Sequence, residues 1–220
     1  MIGVPTWGTL HFEIVKWLIL MQKKSDSKNN PWKVQFMIGK GRPQNVNCNN
    51  LASVALKMSK FTHFLKIDDD LLPDEGLINR LLKVNKDIVG AGVAIFKEEL
   101  SGLAIAVCNK EKGKYRFLPI KEEKIGRCDF VGGGIILVKR KVLETMKQPI
   151  WWVEPNSKGG YDKGSDERFC DIAKELGFEV WYNCETIVSQ HSDIVMGGVF
   201  DPKYGYAIMD VKKFEGQVDT

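Results

Sequence analysis

The sequence predicts an α/β protein built on an open, mostly parallel sheet with helices packed on its faces. Three observations lead there. Strand-like and helix-like patterns alternate through the first ninety-odd residues, the order that favours a parallel sheet. The stretch "FLKIDDDLLP", 64–73, runs from a strand into three aspartates, and such sheets bind ligands beyond their strands' carboxyl ends. At 220 residues with 44% hydrophobic content, the chain is long enough for one sizeable core.

The elements follow in order. "IGVPTW" is a short apolar strand that breaks at Pro5. Residues 9–24 carry Leu10, Ile14, Trp17, Leu18 and Met21 near helical spacing. A polar loop, "KKSDSKNNP", precedes a strand at 32–38, which "GKGRP" ends. A helix is expected over 45–60 from Leu51, Val54, Ala55 and Met58, then a strand over 62–67 that feeds the aspartates. A helix over 74–85 begins with Asp74 and Glu75, charges suited to its positive end. Residues 87–96 read as a strand, and the lysine-rich stretch 97–127 as a hairpin or flap. "DFVGGGIILVKR" starts with glycines and continues as a strand, followed by a short helix, "KVLETM". Residues 148–164 read as a loop. "SDERFCDIAKELGF" reads as a helix with Ser165 as N-cap and Gly177 near its end. A strand at 179–183 follows, and from 185 onward the chain shows no strong periodicity. This divides the chain into a main domain, 1–193, and a tail, 194–220, placed to act as a lid.

Composition narrows the classes. A formal charge of +4 with scattered lysines is compatible with an anionic substrate or a membrane surface. There is no basic stripe interleaved with aromatics, so nucleic acid is not expected as a partner. Five cysteines without a CxxC pair argue against a disulfide framework or a zinc site and for reduced, buried thiols. The run "IVKWLILM" is too short to span a bilayer and contains Lys16. It reads as the buried face of a helix, with an interfacial membrane helix as the lesser reading. No secretory signal is evident, so the expected location is cytoplasmic, with peripheral membrane contact left open.

The aspartates carry the chemistry. Adjacent carboxylates repel, and a divalent cation offsets that repulsion. Mg2+ and Mn2+ bind through one or two carboxylates together with substrate phosphates, so a phosphorylated substrate is expected. A Walker phosphate loop is absent.

The order of these pieces resembles glycosyltransferases of the GT-A fold, particularly the family 2 group. The resemblance covers roughly residues 2–193. It implies a Rossmann-like nucleotide-diphospho-sugar transferase fold in which a DxD motif engages a metal and the donor's diphosphate. "IGVPTWG" is similar to the family's first strand, which would set Pro5 and Thr6 against the nucleotide base. "GRPQNVNCNN" makes Arg42 and Asn50 candidate nucleotide or diphosphate contacts. Asp68 and Asp70 match the outer pair of the DxD, Asp70 as metal ligand and Asp68 toward ribose or metal, with Asp69 between them in the substrate site. "CDFVGGGIIL" resembles the segment beside the donor sugar, where Gly133 and Gly134 permit close approach. "SDERFC" resembles the helix start that carries the catalytic base, here Asp166, although Ser165 departs from the common Glu-Asp form. His191 in "VSQHSD" matches a further metal or phosphate ligand. Trp151 and Trp152 are candidates to stack on sugar.

The implied activity is transfer of a sugar from a nucleotide-diphosphate sugar to an acceptor hydroxyl, on a glycan, a lipid or a small molecule, with Mn2+ or Mg2+. A nucleotidyltransferase of similar layout is the nearest rival, but "VPTWGTLHFE" lacks its basic, glycine-rich loop. A non-catalytic nucleotide-sugar-binding module is the rival from another class. The donor, the base, the acceptor, the stereochemical outcome and the oligomeric state are not legible in the residues.

Overall fold

The computed structural model describes residues 1–41, 43–58, 60–97, 102–105, 107–111, 114–117 and 124–190. Arg42, His191 and the tail 194–220 lie outside the described residues. The elements are, in order, β1 (Ile2–Thr6), α1 (Phe12–Asp26), β2 (Phe36–Lys40), α2 (Gln44–Lys57), β3 (His63–Ile67), β4 (Leu71–Leu72), α3 (Leu77–Val84) and β5 (Ile88–Lys97). Then come β6 (Gly102–Ile105), β7 (Val107–Glu111), β8 (Lys114–Phe117), β9 (Ile125–Cys128), β10 (Phe130–Val131), β11 (Ile135–Lys139) and α4 (Arg140–Thr145). The last are β12 (Glu154–Pro155), β13 (Tyr161–Lys163), α5 (Ser165–Glu175) and β14 (Val180–Gln190).

The main sheet has the order β2-β1-β3-β11-β5-β14-β4, with β6 beside β5 and β9 beside β14. β1 pairs in parallel with β2 and β3, and β5 with β14. β11 enters antiparallel between β3 and β5. The strands β2, β1, β3, β5 and β14 therefore all point their carboxyl ends to one edge, and β11 starts from that same edge. Its first residue, Ile135, sits opposite Ile67, the last of β3. That register brings the glycines before β11 alongside the aspartates after β3.

Alternation along the strands makes two cores. Phe64, Ile136 and Val138 face α2, α4 and α5, packing with Leu51, Val142 and Phe169. Leu65, Ile67, Ile135 and Leu137 face α1 and α3, packing with Ile14, Trp17, Leu77 and Leu81. The period of two fixes the register, because a one-residue slip would exchange the faces. The face of α1 read from "IVKWLILM" is buried at Ile14, Trp17, Leu18 and Met21. No helix among the described residues is long and apolar enough to cross a membrane.

Several boundaries differ from the sequence expectation. α3 starts at Leu77 rather than 74, because Asp74 accepts the Gly76 N–H at 2.7 Å and pairs with Arg80, which closes a turn ahead of the helix. β2 starts at Phe36 rather than 32. The Trp32 indole donates to Asn79 Oδ1 at 2.6 Å and the Val34 N–H to Ser25 Oγ at 2.9 Å, tying that segment to the helices. Gly164, not Ser165, is the N-cap of α5. Gly177 does follow that helix in the left-handed region, φ +85°, where glycine is favoured. The last strand runs on to Gln190, pairing with β5 again at Ile187 and Val188 after an irregularity, and then with β4. Residues 148–164 contain the β12–β13 ribbon.

All five cysteines are buried, and none is in a disulfide. Burial pushes the thiols of Cys48, Cys170 and Cys184 up to about 12, and Cys128 higher still. The thiolate is the reactive form. The native protein should resist a thiol reagent such as dithionitrobenzoate, and all five should react in denaturant. Rapid labelling of the native protein at any of them would contradict this burial.

Candidate functional site

β3 ends in a crowd of charge. The Asp68 backbone N–H donates to the Gly134 carbonyl at 2.9 Å, which fixes the start of the aspartate run against the glycine segment. Asp68 Oδ1 accepts from Lys66 Nζ at 2.7 Å and from Gln44 Nε2 at 2.8 Å. Lys66 points to the α2 side of the sheet, its side chain only 3% exposed, and donates also to the Gly133 carbonyl. Burial would strip the Lys66 proton, but Asp68, with help from Cys48 and Asp166, holds its pKa above the ordinary lysine value. Burial raises the Asp68 carboxyl to about 6 against the pull of Lys66, and the charges of Asp166 and Asp70 add to the rise. A carboxyl raised by folding favours the folded state while protonated. Its ionisation therefore costs stability progressively as pH climbs from about 4 to about 6.

Asp70 is held differently. Its Oδ2 accepts from Gln190 Nε2, at the end of β14, at 2.7 Å. Its Oδ1 is buried and has no hydrogen-bond partner among the described residues. A buried carboxylate oxygen without a partner carries an uncompensated desolvation cost. A hard cation would supply the missing partner. The donor set fits Mg2+ or Mn2+ in type, but among the described residues no group of three or more His, Cys, Asp or Glu side chains converges. The remaining ligands of such an ion would have to come from water and phosphate.

Asp166 reaches the same corner from α5. A Cβ on Gly133 would lie 2.0 Å from Asp166 Oδ1, so the aspartate occupies the space that glycine leaves. Substituting Gly133 by any larger residue would expel the carboxylate. α5 is anchored beneath by Phe169, Cys170 and Ala173, all fully buried. Phe169 stacks on Trp151 with ring centroids 4.9 Å apart and planes 3° from parallel. Asn49 of α2 accepts the Ile150 and Trp151 N–H groups at 2.8 and 2.9 Å and donates to the Trp151 carbonyl.

At the end of β1, Pro5 and Thr6 are buried in the sheet. Thr6 Oγ1 donates to the Thr9 carbonyl at 3.0 Å and accepts the Gly8 N–H at 3.2 Å. The Thr6 carbonyl accepts from Gly41 N–H at 3.0 Å and from the buried Asn47 amide at 3.3 Å. These bonds shape the loop that presents Trp7, which is 58% exposed.

The structure therefore brings Asp68, Asp70, Gly133, Gly134 and Asp166 to one edge of the sheet, with Asp69 in the turn between the two aspartates. Pro5 and Thr6 end β1, which lies beside β3 and points its carboxyl end to the same edge. Asn50 is exposed on α2, and Trp152 is partly exposed. Trp151 is 0% exposed, and its ring is part of the core. Trp151→Ala should cost about 3–5 kcal/mol of stability, measured by urea unfolding, as large-to-small changes of buried aromatics do.

Sequence reasoning missed Lys66, Gln44, Asn47 and Gln190. The one signal available was Lys66 itself, a lysine set among apolar residues just before three acids.

No protein-family model matches the chain, and no curated protein matches it. Solved structures do. A197 from STIV matches over 95% of this chain and 93% of its own, at 16% identity and a TM-score of 0.61. A glucose-1-phosphate thymidylyltransferase from Bacillus anthracis, solved with sucrose, covers 86% of this chain and 89% of its own at 13% identity and a TM-score of 0.42. CMP:2-keto-3-deoxy-manno-octonic acid synthetase with CTP covers 83% and 88% at 13% identity and 0.43. At those two scores neither match bears on function. What this chain shares with A197 is the fold, an open, mostly parallel sheet with helices on both faces.

Proposed function

We propose that the protein is a metal-dependent glycosyltransferase that moves a sugar from a nucleotide-diphosphate sugar to an acceptor hydroxyl. One observation carries the reading: a helix-start carboxylate, Asp166, lies against Gly133 beside a strand-end aspartate run in which Asp70 Oδ1 is buried with no partner among the described residues. In this reading Asp70 holds Mn2+ or Mg2+. That ion, when bound, supplies charge neutralisation for the leaving diphosphate. Gly133 and Gly134 are proposed beside the donor sugar on the family resemblance, Gly133 letting Asp166 lie against the backbone there, and Asp166 accepts the acceptor hydroxyl's proton as the oxygen attacks the anomeric carbon. The bond from that carbon to the diphosphate breaks, and the nucleoside diphosphate departs. Pro5, Thr6, Arg42, Asn50 and Asp69 are proposed donor contacts on the family resemblance, and Trp152 is a sugar-stacking candidate by its exposure. His191 is proposed as a further ligand. Support for it is positional, since it follows Gln190, whose side chain already bonds Asp70.

The test is product identity. With Mn2+ and a panel of nucleotide-sugars, the protein should release nucleoside diphosphate, and faster with an acceptor. Release of pyrophosphate from a nucleoside triphosphate and a sugar phosphate, with no nucleoside diphosphate formed, would assign nucleotidyl transfer instead.

A further inference from the structure

Lys66 is the one buried lysine or arginine among the described residues, it pairs with Asp68, and the proposed transfer leaves it without a task. Its ammonium joins the end of β3, through Asp68 Oδ1, to the glycine segment, through the carbonyl of Gly133, 67 residues on from Lys66. It also faces the charge of Asp166, which rests on that same glycine. Gln44 closes the other side of Asp68 Oδ1. Among the described residues, Asp68 is thus held by two side-chain donors, one of them charged, whereas Asp70 has a single amide donor and a buried oxygen left over. Two of the three aspartates have been given opposite situations by their neighbours.

We infer that Lys66 is a built-in counter-cation that reserves Asp68 for positioning the glycine segment and so leaves Asp70 as the carboxylate that meets the metal. This rests on the reading of the site as a metal–diphosphate site. It adds a consequence of its own. With Lys66 in place, Asp68 stays paired, and a divalent ion meets the Asp70 oxygen that Gln190 does not take, in a corner that also holds an ammonium. Such an ion binds poorly alone and enters together with phosphate oxygens. Lys66 is a positioning residue, and it makes metal binding conditional on the substrate.

The experiment uses Mn2+ alone, without nucleotide. Lys66→Gln keeps a group with two N–H donors, on a side chain one atom shorter, but removes the charge. Lys66→Met removes both, and Lys66→Arg keeps the charge. Melting temperature and Mn2+ affinity are measured for each at mildly alkaline pH. The wild type and Lys66→Arg should respond weakly to Mn2+. Lys66→Gln should bind Mn2+ about 10-fold tighter or more, the order expected for deleting a unit charge a few ångströms away at intermediate dielectric. Lys66→Met should melt lower than the wild type without metal and recover with it. Adding Asp68→Asn to Lys66→Gln should abolish the gain. A residue that only filled space would show no gain of metal affinity and no difference between Arg and Gln.

Equal Mn2+ response in the wild type and both uncharged variants overturns the inference, as does a gain that persists in the double variant. If Lys66→Met does not fold, Lys66→Gln and Lys66→Arg decide between them. Because no nucleotide is present, this result is separable from the glycosyl-transfer reading. Nucleoside diphosphate release with no Mn2+ gain in Lys66→Gln would sink the inference alone. A gain with no release from any nucleotide-sugar would sink the functional reading alone.

Discussion

Asp166→Asn should lower turnover by about 10²–10⁴-fold, the usual contribution of a positioned general base. Affinity for the donor should be nearly unchanged. The amide is isosteric, so it still fits the space against Gly133, where a Cβ would come within 2.3 Å of the side-chain Cγ. What it loses is the ability to take a proton. The helix that carries it should not move, because its anchors are elsewhere: Phe169 on Trp151, and the Cys170 thiol directed at the Val131 carbonyl. The rival account is that Asp166 and Glu167 merely complement the N-terminal end of α5. That account predicts a small loss of stability and no loss of turnover. Single-turnover rates with the acceptor in excess, together with a urea titration, separate the two. Wild-type turnover with reduced stability would leave Asp166 as a helix-terminus charge.

Much of the frame behind that prediction was legible in the sequence, for physical reasons that differ along the chain. α1 and α5 were readable because their buried residues recur at helical spacing, as Ile14, Trp17, Leu18 and Met21 do. β3 was readable because an apolar run ends abruptly in charge. The position of β11 was not. An antiparallel strand inserted between β3 and β5 is a matter of partners far apart in sequence, Ile135 with Ile67 and Val138 with Ile88, and local pattern is silent on partners. The second half of β14 was missed because "CETIVSQ" does not alternate cleanly, and it pairs through an irregularity between Asn183 and Ile187. β4, of two residues, has no pattern to read.

The site divides in the same way. The carboxylates were visible as types at expected places, whereas their environments were not. A lysine on a strand reads as a solvent-facing residue. Only the fold shows that Lys66 is enclosed and that a carboxylate two residues on balances it. A tryptophan pair reads as an exposed binding surface, yet Trp151 lies in the core and Trp152 at the surface, because Asn49 pins the backbone between α2 and that segment. Gln190 gave no signal at all, since a glutamine at a strand end is unremarkable until its amide meets Asp70.

Asp70→Asn should abolish the metal-dependent part of nucleoside diphosphate binding. In the wild type, affinity for the diphosphate should be higher with Mn2+ than with a chelator. In the variant the two should be equal. The expected loss is at least about 10–100-fold, the range already seen when only an outer partner of a metal ligand is removed. The direction for stability is opposite. Asp70 is one of the charges that push the Asp68 carboxyl up, and its oxygen Oδ1 is buried with no partner among the described residues. Neutralising it relieves that repulsion, while the asparagine carbonyl can still accept from Gln190. The metal-free variant should therefore melt no lower than the wild type. This pairing of lost ligand affinity with retained or increased stability is what separates a functional carboxylate from one that holds the turn together. A carboxylate needed for the turn would lower both. Calorimetric titration of diphosphate with and without Mn2+, beside thermal melts of both proteins in chelator, reads the two effects independently. A metal-dependent gain in the variant equal to that of the wild type would remove Asp70 from the metal site, and with it the feature of the strand end on which the reading depends.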